Sequence, residues 1–161
     1  MYKKSQIAVT DLLISLVIFL LLIIALVNFW NTYSKRLAQD IDYRALELKA
    51  FHITDVLTKN PGIPLTWETD PSSALVIGLQ QKDGILSKNK VNSFFSLNES
   101  SIKEFLNIEA YNFYTELRAL NNTPLTNSSG TSPNNPKQTI VIKRYLLYDN
   151  QKAILSFTLW N

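Results

Sequence analysis

The 161-residue sequence predicts an α+β fold in which a long N-terminal helix packs on a small antiparallel β-sheet head. Three features predict this fold. Residues 12–34 carry no charge and are mostly apolar, residues 35–59 contain no proline or glycine, and two β-rich runs end the chain. The 46% hydrophobic composition is therefore an average over a helix that is apolar enough to span a membrane and a head of ordinary globular composition.

The first element is a membrane segment. Its 23 uncharged residues make a helix of about 34 Å, which is enough to cross a hydrocarbon core of about 30 Å. Phe29, Trp30 and Tyr33 follow at its far end, where aromatic rings favour the membrane–water interface. Lys3 and Lys4 on the short side predict a cytoplasmic N-terminus, a single pass and a head outside the cell. A cleaved secretory signal would have a shorter apolar run and would end in small residues.

The helical pattern continues beyond the membrane segment and divides the chain. We expect a basic leader at 1–6, a hydrophobic membrane or filament-core helix at 7–34, an amphipathic continuation at 35–60 and an α+β head at 61–161. Asn60, Pro61 and Gly62 end the helix. Apolar residues recur along the continuation at helical spacing in two series: Leu37, Ile41, Ala45 and Leu48, then Leu46, Ile53, Val56 and Leu57.

The head follows a different pattern. Residues 74–79 predict a short strand, 111–118 a half-buried strand, and 139–148 with 152–160 a hairpin whose inner face carries Ala153, Leu155, Phe157 and Leu159. Ser87 caps one predicted helix, and a capping box at Ser101 begins another. Trp67 is expected to fill the corner where the long helix meets the head.

An Asn/Ser/Thr/Pro tract at 121–138 predicts a flexible surface loop, because it has too few apolar residues to order itself strongly. Three N-x-S/T sequons, at Asn98, Asn121 and Asn127, are possible N-glycosylation sites on the outer side. They predict a glycoprotein.

Composition excludes several kinds of chemistry. With no cysteine and one histidine, the chain lacks a disulfide framework, a Cys-ligated metal and a Cys nucleophile. The sequence contains no glycine-rich phosphate loop and no HExxH motif, so we expect no catalytic residue, no metal, no cofactor and no enzymatic activity. His52 is expected to be structural. The net charge of +3 is small and dispersed, and no nucleic-acid partner is expected.

The leader carries a family resemblance. A short basic leader with Lys3 and Lys4, a polar boundary at Ser5 and Gln6, and Ile7 shortly before Asp11 precede the apolar helix. This order resembles the class III signal peptides of archaeal type IV pilins and archaellins. The runs 60–68, 76–79, 85–90 and 111–114 are similar to uncharacterised archaeal pilin-like proteins.

That resemblance implies processing and assembly. A prepilin peptidase would cut beside Gln6. Asp11 is the sixth residue counted from Gln6 and the fifth counted from Ile7, so three outcomes stay open: a cut before Gln6, a cut after Gln6, or no cut. In the filament, Asp11 would neutralise the terminal amine of a neighbouring subunit. The implied partners are copies of this chain or related pilins, membrane lipid and the assembly machinery. A plain helix cap at Thr10 or Asp11 is the alternative role for these residues.

Three functions remain open at this point. The first is a structural subunit of an extracellular type IV pilus-like filament, located in the cell membrane or the filament. The second is a permanently anchored surface protein with a binding or cell-adhesion head, and the third is a membrane-tethered enzyme.

Overall fold

The computed structural model describes the backbone of residues 2–161 and the side chains of residues 10–161. It confirms the α+β fold with a long N-terminal helix. Helix α1 spans Tyr2–Lys59, and its end before Asn60 confirms the predicted terminator. By internal contacts the chain divides into one unit up to Asp42 and a second at Tyr43–Asn161, so the last turns of α1 belong to the same unit as the head.

The second unit contains two further helices and six strands. Two 3₁₀ turns, Trp67–Thr69 and Pro71–Ser73, follow α1. The remaining elements are helices α2 (Lys88–Ser96) and α3 (Glu99–Leu106) with strands β1 (Gln80–Lys82), β2 (Ile85–Leu86), β3 (Asn112–Ala119), β4 (Ser129–Gly130), β5 (Thr139–Tyr148) and β6 (Gln151–Trp160).

The six strands form one sheet in the order β1-β2-β5-β6-β3-β4. The β5–β6 hairpin and strand β3 confirm the strongest predictions, and Asp149 and Asn150 turn the hairpin with positive φ angles of 50° and 62°. The expectation of a purely antiparallel sheet is wrong, because β2 pairs parallel to β5 through Ile85 opposite Leu147.

The core lies between the inner face of this sheet and the helices. Strand β6 buries the four residues that the alternation predicts, and the rings of Phe113 and Phe157 stack with their centroids 5.9 Å apart. Helix α1 adds one stripe to the same core, formed by Leu46, Ala50, Ile53 and Leu57.

The first apolar series of the long helix does not face this core. Leu37, Ile41, Ala45 and Leu48 are all exposed. At about 100° per residue, Leu48 lies about 160° around the helix from Leu46, so one sheet cannot cover both. Of the second series, Leu46, Ile53 and Leu57 are buried in the core of the head.

The segment after α1 closes the C-terminal end of that helix. Leu79 N donates to Leu57 O at 2.8 Å, Gln80 N donates to Asn60 O at 3.2 Å, and the side chain of Lys90 donates to Pro61 O at 2.5 Å. The strand predicted at 74–79 is wrong: Val76 makes only an isolated antiparallel bridge with Ile63, and Leu79 N donates to the Leu57 carbonyl at the helix end rather than to a strand.

Trp67 is fully buried in the corner, as predicted. Its Nε1 donates to Gly78 O at 2.9 Å, which satisfies the one polar atom of the ring.

Two local details differ from expectation or refine it. Helix α3 begins at Glu99 rather than at Ser101, because Asn98 Oδ1 accepts from Ser101 N at 2.7 Å and makes Asn98 the cap. Helix α2 starts after Ser87 as predicted, but Ser87 makes no side-chain capping bond.

The tract at 121–138 covers one edge of the sheet. Leu125 N donates to Leu117 O at 2.9 Å, Thr131 N donates to Phe113 O at 3.0 Å, and β4 pairs with Tyr114 and Thr115. The composition of this tract predicts a surface loop, and the tract also forms hydrogen bonds with the backbone groups along the outer edge of β3.

Candidate functional site

The apolar part of α1 is exposed along its whole length. It is the one helix within the described residues that is long and apolar enough to span a membrane, and none of that apolar stretch is buried. A helix that is apolar on every side requires apolar surroundings, either lipid or other helices. The large exposed side chains are Leu12, Leu13, Ile14, Leu16, Val17, Ile18, Phe19, Leu20, Leu21, Leu22, Ile23, Ile24, Leu26, Val27, Phe29, Trp30 and Tyr33.

Three polar side chains within this segment form hydrogen bonds inside the helix. Ser15 Oγ donates to Asp11 O at 2.8 Å, Asn28 Nδ2 donates to Ile24 O at 2.9 Å, and Thr32 Oγ1 donates to Asn28 O at 2.9 Å. Each bond reaches the carbonyl four residues earlier. These bonds reduce the cost of placing polar groups in hydrocarbon, where no water can satisfy them.

An aromatic cluster lies at the C-terminal end of the segment. The rings of Phe29 and Tyr33 stack with centroids 6.4 Å apart and an interplanar angle of 11°. Trp30 is 66% exposed, and the charged pair Lys35 and Arg36 follows. Exposed aromatics followed by cations are typical of the interfacial end of a membrane helix.

Asp11 lies within the helix rather than at its start. Helix α1 begins at Tyr2, so the alternative in which Thr10 or Asp11 caps it is wrong. Asp11 is exposed, and its carbonyl accepts the bond from Ser15. The side chains of the leader-processing residues Lys3, Lys4, Ser5, Gln6 and Ile7 lie outside the described residues.

Exposed apolar residues continue beyond the segment of membrane length. In the first unit Leu37 and Ile41 are exposed, and in the second unit Leu48 is 71% exposed. The spacing of four residues from Leu37 to Ile41 and on to Ala45 marks this series in the sequence. Leucine and isoleucine exposed at helical spacing leave an apolar surface in contact with solvent.

The head carries an ion-pair group on the α1–β5 contact. Asp55 accepts from Lys59 Nζ at 2.9 Å and pairs with Arg144, whose guanidinium also lies 5.1 Å from the centroid of the Phe51 ring. The hydrogen bond from Lys59 is the main cause that lowers the pKa of Asp55. Burial opposes this shift, and the charge of Arg144 adds to it. This group joins the helix to the sheet.

The three sequon asparagines are all exposed in the head. Asn98 caps α3, and Asn121 Oδ1 accepts from Thr123 N at 3.2 Å and from Thr123 Oγ1 at 2.8 Å. Asn127 lines a shallow polar groove of about 500 Å³ between α2 and the tract at 121–138.

His52 is exposed and lines a separate groove of about 280 Å³ with Lys49 and Phe105. Among residues 10–161, no three His, Asp or Glu side chains converge in a way that could hold a metal ion.

The geometry thus defines an α+β head and one long helix whose apolar part can span a membrane. Comparison with protein-family models, with curated proteins and with solved structures found no match.

Proposed function

We propose that this chain is the prepilin of an extracellular type IV pilus-like filament and assembles through its N-terminal helix after the leader is removed. The observation that carries the proposal is the exposed apolar helix, because none of its apolar stretch is buried. The head that follows is a separate compact unit with its own core. The order of basic leader, Gln6 and Asp11 supports the filament in preference to a simple anchor.

The apolar side chains of residues 12–34 suit both the membrane, before cleavage, and the filament, after it. In the membrane, residues 12–34 contact lipid. After cleavage beside Gln6, the helices leave the lipid and bundle, so that contacts with neighbouring helices replace contacts with acyl chains. Leu, Ile and Val serve in both surroundings because a helix bundle is as apolar as hydrocarbon. The exposed series with Leu37, Ile41 and Leu48 extends the bundle beyond the length of a membrane span.

Asp11 has a specific role in this proposal. A carboxylate within a membrane helix costs about 2.5–3.5 kcal/mol unless a cation compensates it. The amine that cleavage creates on a neighbouring subunit is that cation, and the pair fixes the axial register of the packed helices.

The role of Asp11 is tested with Asp11→Ala, with Asp40→Ala as the matched control on the same helix. Filaments sheared from cells are quantified by electron microscopy and immunoblotting. We expect Asp11→Ala to stay in the membrane and form no filaments, and Asp40→Ala to assemble normally. Normal filaments from Asp11→Ala would remove Asp11 from the mechanism.

The topology is tested in the native cysteine-free background. A Ser128→Cys variant places one thiol on the exposed tract of the head. A membrane-impermeant maleimide should label intact cells and permeabilised cells equally. Labelling only after permeabilisation would place the head in the cytoplasm and reject the proposal.

A second function, a permanently anchored surface protein with a binding head, is favoured by the aromatic cluster at Phe29, Trp30 and Tyr33, which suits a permanent span. Cleavage separates the two functions. N-terminal sequencing of the native protein should start at Gln6 or Ile7 for a filament subunit and at the leader for an anchor.

A further inference from the structure

Strand β5 has a long edge that pairs with no strand in the described part of the chain. On one side, all ten of its residues pair with β6. On the other side, β2 pairs only with Leu147 and Tyr148, so the edge from Thr139 to Leu146 stays open. Val141 and Tyr145 on this stretch are 50% and 72% exposed.

The direction of the free backbone groups follows from one hydrogen bond. Leu147 N donates to Gly84 O at 2.9 Å, so the N–H of Leu147 faces the side of β2. Alternate residues of a strand point their backbone groups to the same side, which places those of Tyr145, Lys143 and Val141 on the open edge. Their side chains lie on the solvent face, as their exposure confirms.

The opposite edge of the sheet is closed. Backbone bonds from the tract at 121–138 satisfy Phe113, Leu117 and Ala119 of β3, and β4 covers the residues between them. An open strand edge invites pairing with another chain, and natural proteins cover or charge such edges. Here one edge is covered and the other is left available.

A groove of about 400 Å³ runs beside the open edge. Its walls include Thr58 and Lys59 from the end of α1, Asp83 from the β1–β2 turn, and Lys143 and Tyr145 from β5. Lys143 takes part in none of the ion pairs formed by residues 10–161, whereas Lys59 is paired with Asp55. The groove therefore offers an available cation between two exposed apolar side chains.

We propose that this edge binds an extended peptide segment as an added strand, with an acidic side chain opposite Lys143 and apolar side chains opposite Val141 and Tyr145. Main-chain hydrogen bonds along β5 supply the attachment, and the cross-strand pairs supply the selectivity. The recognised segment has the pattern apolar-x-acidic-x-apolar.

Charge argues against a second copy of this edge as the occupant. Antiparallel self-pairing over residues 139–146 in a hydrogen-bonded register brings the two copies of Lys143 opposite each other or two residues apart on one face. Like charges at that separation are destabilising. The binding of a peptide does not depend on whether the chain forms filaments, so failure of one proposal leaves the other standing.

The test is fluorescence anisotropy with full-length protein in lipid nanodiscs. The probe is a labelled peptide, acetyl-Thr-Val-Thr-Glu-Thr-Val-Thr-amide, and its partner probe has Lys in place of Glu. We expect the Glu peptide to bind about fivefold more tightly than the Lys peptide, and this preference to shrink as salt rises.

Three variants locate the site. Lys143→Glu should reverse the preference between the two peptides, whereas Lys152→Glu, the same charge change on β6, should keep it. Val141→Pro removes one edge donor without touching the β6 ladder and should abolish binding while the head stays folded.

No binding of the Glu peptide up to about 1 mM, equal affinity for both peptides, or an unchanged preference in Lys143→Glu would overturn the proposal. Concentration-dependent dimers of the nanodisc-bound chain that Lys143→Glu alters would assign the edge to a second copy and would also overturn it.

Discussion

Trp67 is the largest of the fully buried side chains in the head. It is fully buried, and its Nε1 is bonded to the carbonyl of Gly78. The ring also occupies the space beside Gly62, where an added Cβ would lie 2.3 Å from Trp67 Cδ1. Replacing Trp67 with Phe removes the donor and part of the ring while keeping an aromatic residue in the corner.

The expected cost has two parts. A buried carbonyl left without its partner costs about 1–3 kcal/mol, and the space left by the smaller ring adds about 1 kcal/mol. The total is about 2–4 kcal/mol, which for a head of this size lowers the melting temperature by about 10 °C. Trp30→Phe is the matched control, because Trp30 is exposed and belongs to the first unit rather than to the head.

The assay follows the head alone. Hydrogen exchange of the β5–β6 amides measures its free energy of unfolding in detergent micelles, and near-ultraviolet circular dichroism gives the melting temperature. Trp67→Phe should lower both, and Trp30→Phe should leave both unchanged. If the free energies of unfolding of the two variants differ by less than about 0.5 kcal/mol, the indole of Trp67 and its hydrogen bond to Gly78 do not stabilise the head.

Three further predictions follow. Gly78→Ala should destabilise the head by more than about 2 kcal/mol in urea titration, because the new Cβ would lie 2.0 Å from Asn60 O. Because its pKa is lowered in the folded state, Asp55 contributes stability above about pH 5, and this contribution is lost as the pH falls through the folded-state pKa. The difference in free energy of unfolding between wild type and Asp55→Asn should therefore shrink when unfolding is measured at successively lower pH. A difference that stays constant with pH would contradict this. Leu48→Asp should keep the melting temperature of the head within about 2 °C of the wild-type value, because Leu48 is exposed. It should reduce the yield of sheared filaments. An unchanged yield would show that Leu48 takes no part in assembly.

Much of the fold could be predicted because its signals are local. Alternation along residues 139–160 places the β5–β6 hairpin and its buried face, and the Asn60-Pro61-Gly62 run ends the helix at Lys59. The apolar segment at 12–34 could be predicted from length and composition alone. The burial of Trp67 could be predicted from its position shortly after the residues that end the helix.

The remaining features depend on contacts far apart in sequence. The parallel pairing of β2 with β5 rests on two residues of each strand, which leave no pattern along the chain. Residues 74–79 are apolar enough to predict a strand, but Leu79 donates to the end of α1 instead. The choice between the Leu46 and Leu48 faces of α1 depends on where the sheet packs, and the open edge of β5 depends on how short β2 is.

We propose that the chain leaves the membrane as a processed filament subunit. The most direct measurement is the intact mass of this chain in extracellular material sheared from cells. We expect a mass lower than that of the full chain by its first five or six residues, which corresponds to a new N-terminus at Gln6 or Ile7. A full-length mass found only in the membrane fraction would contradict it.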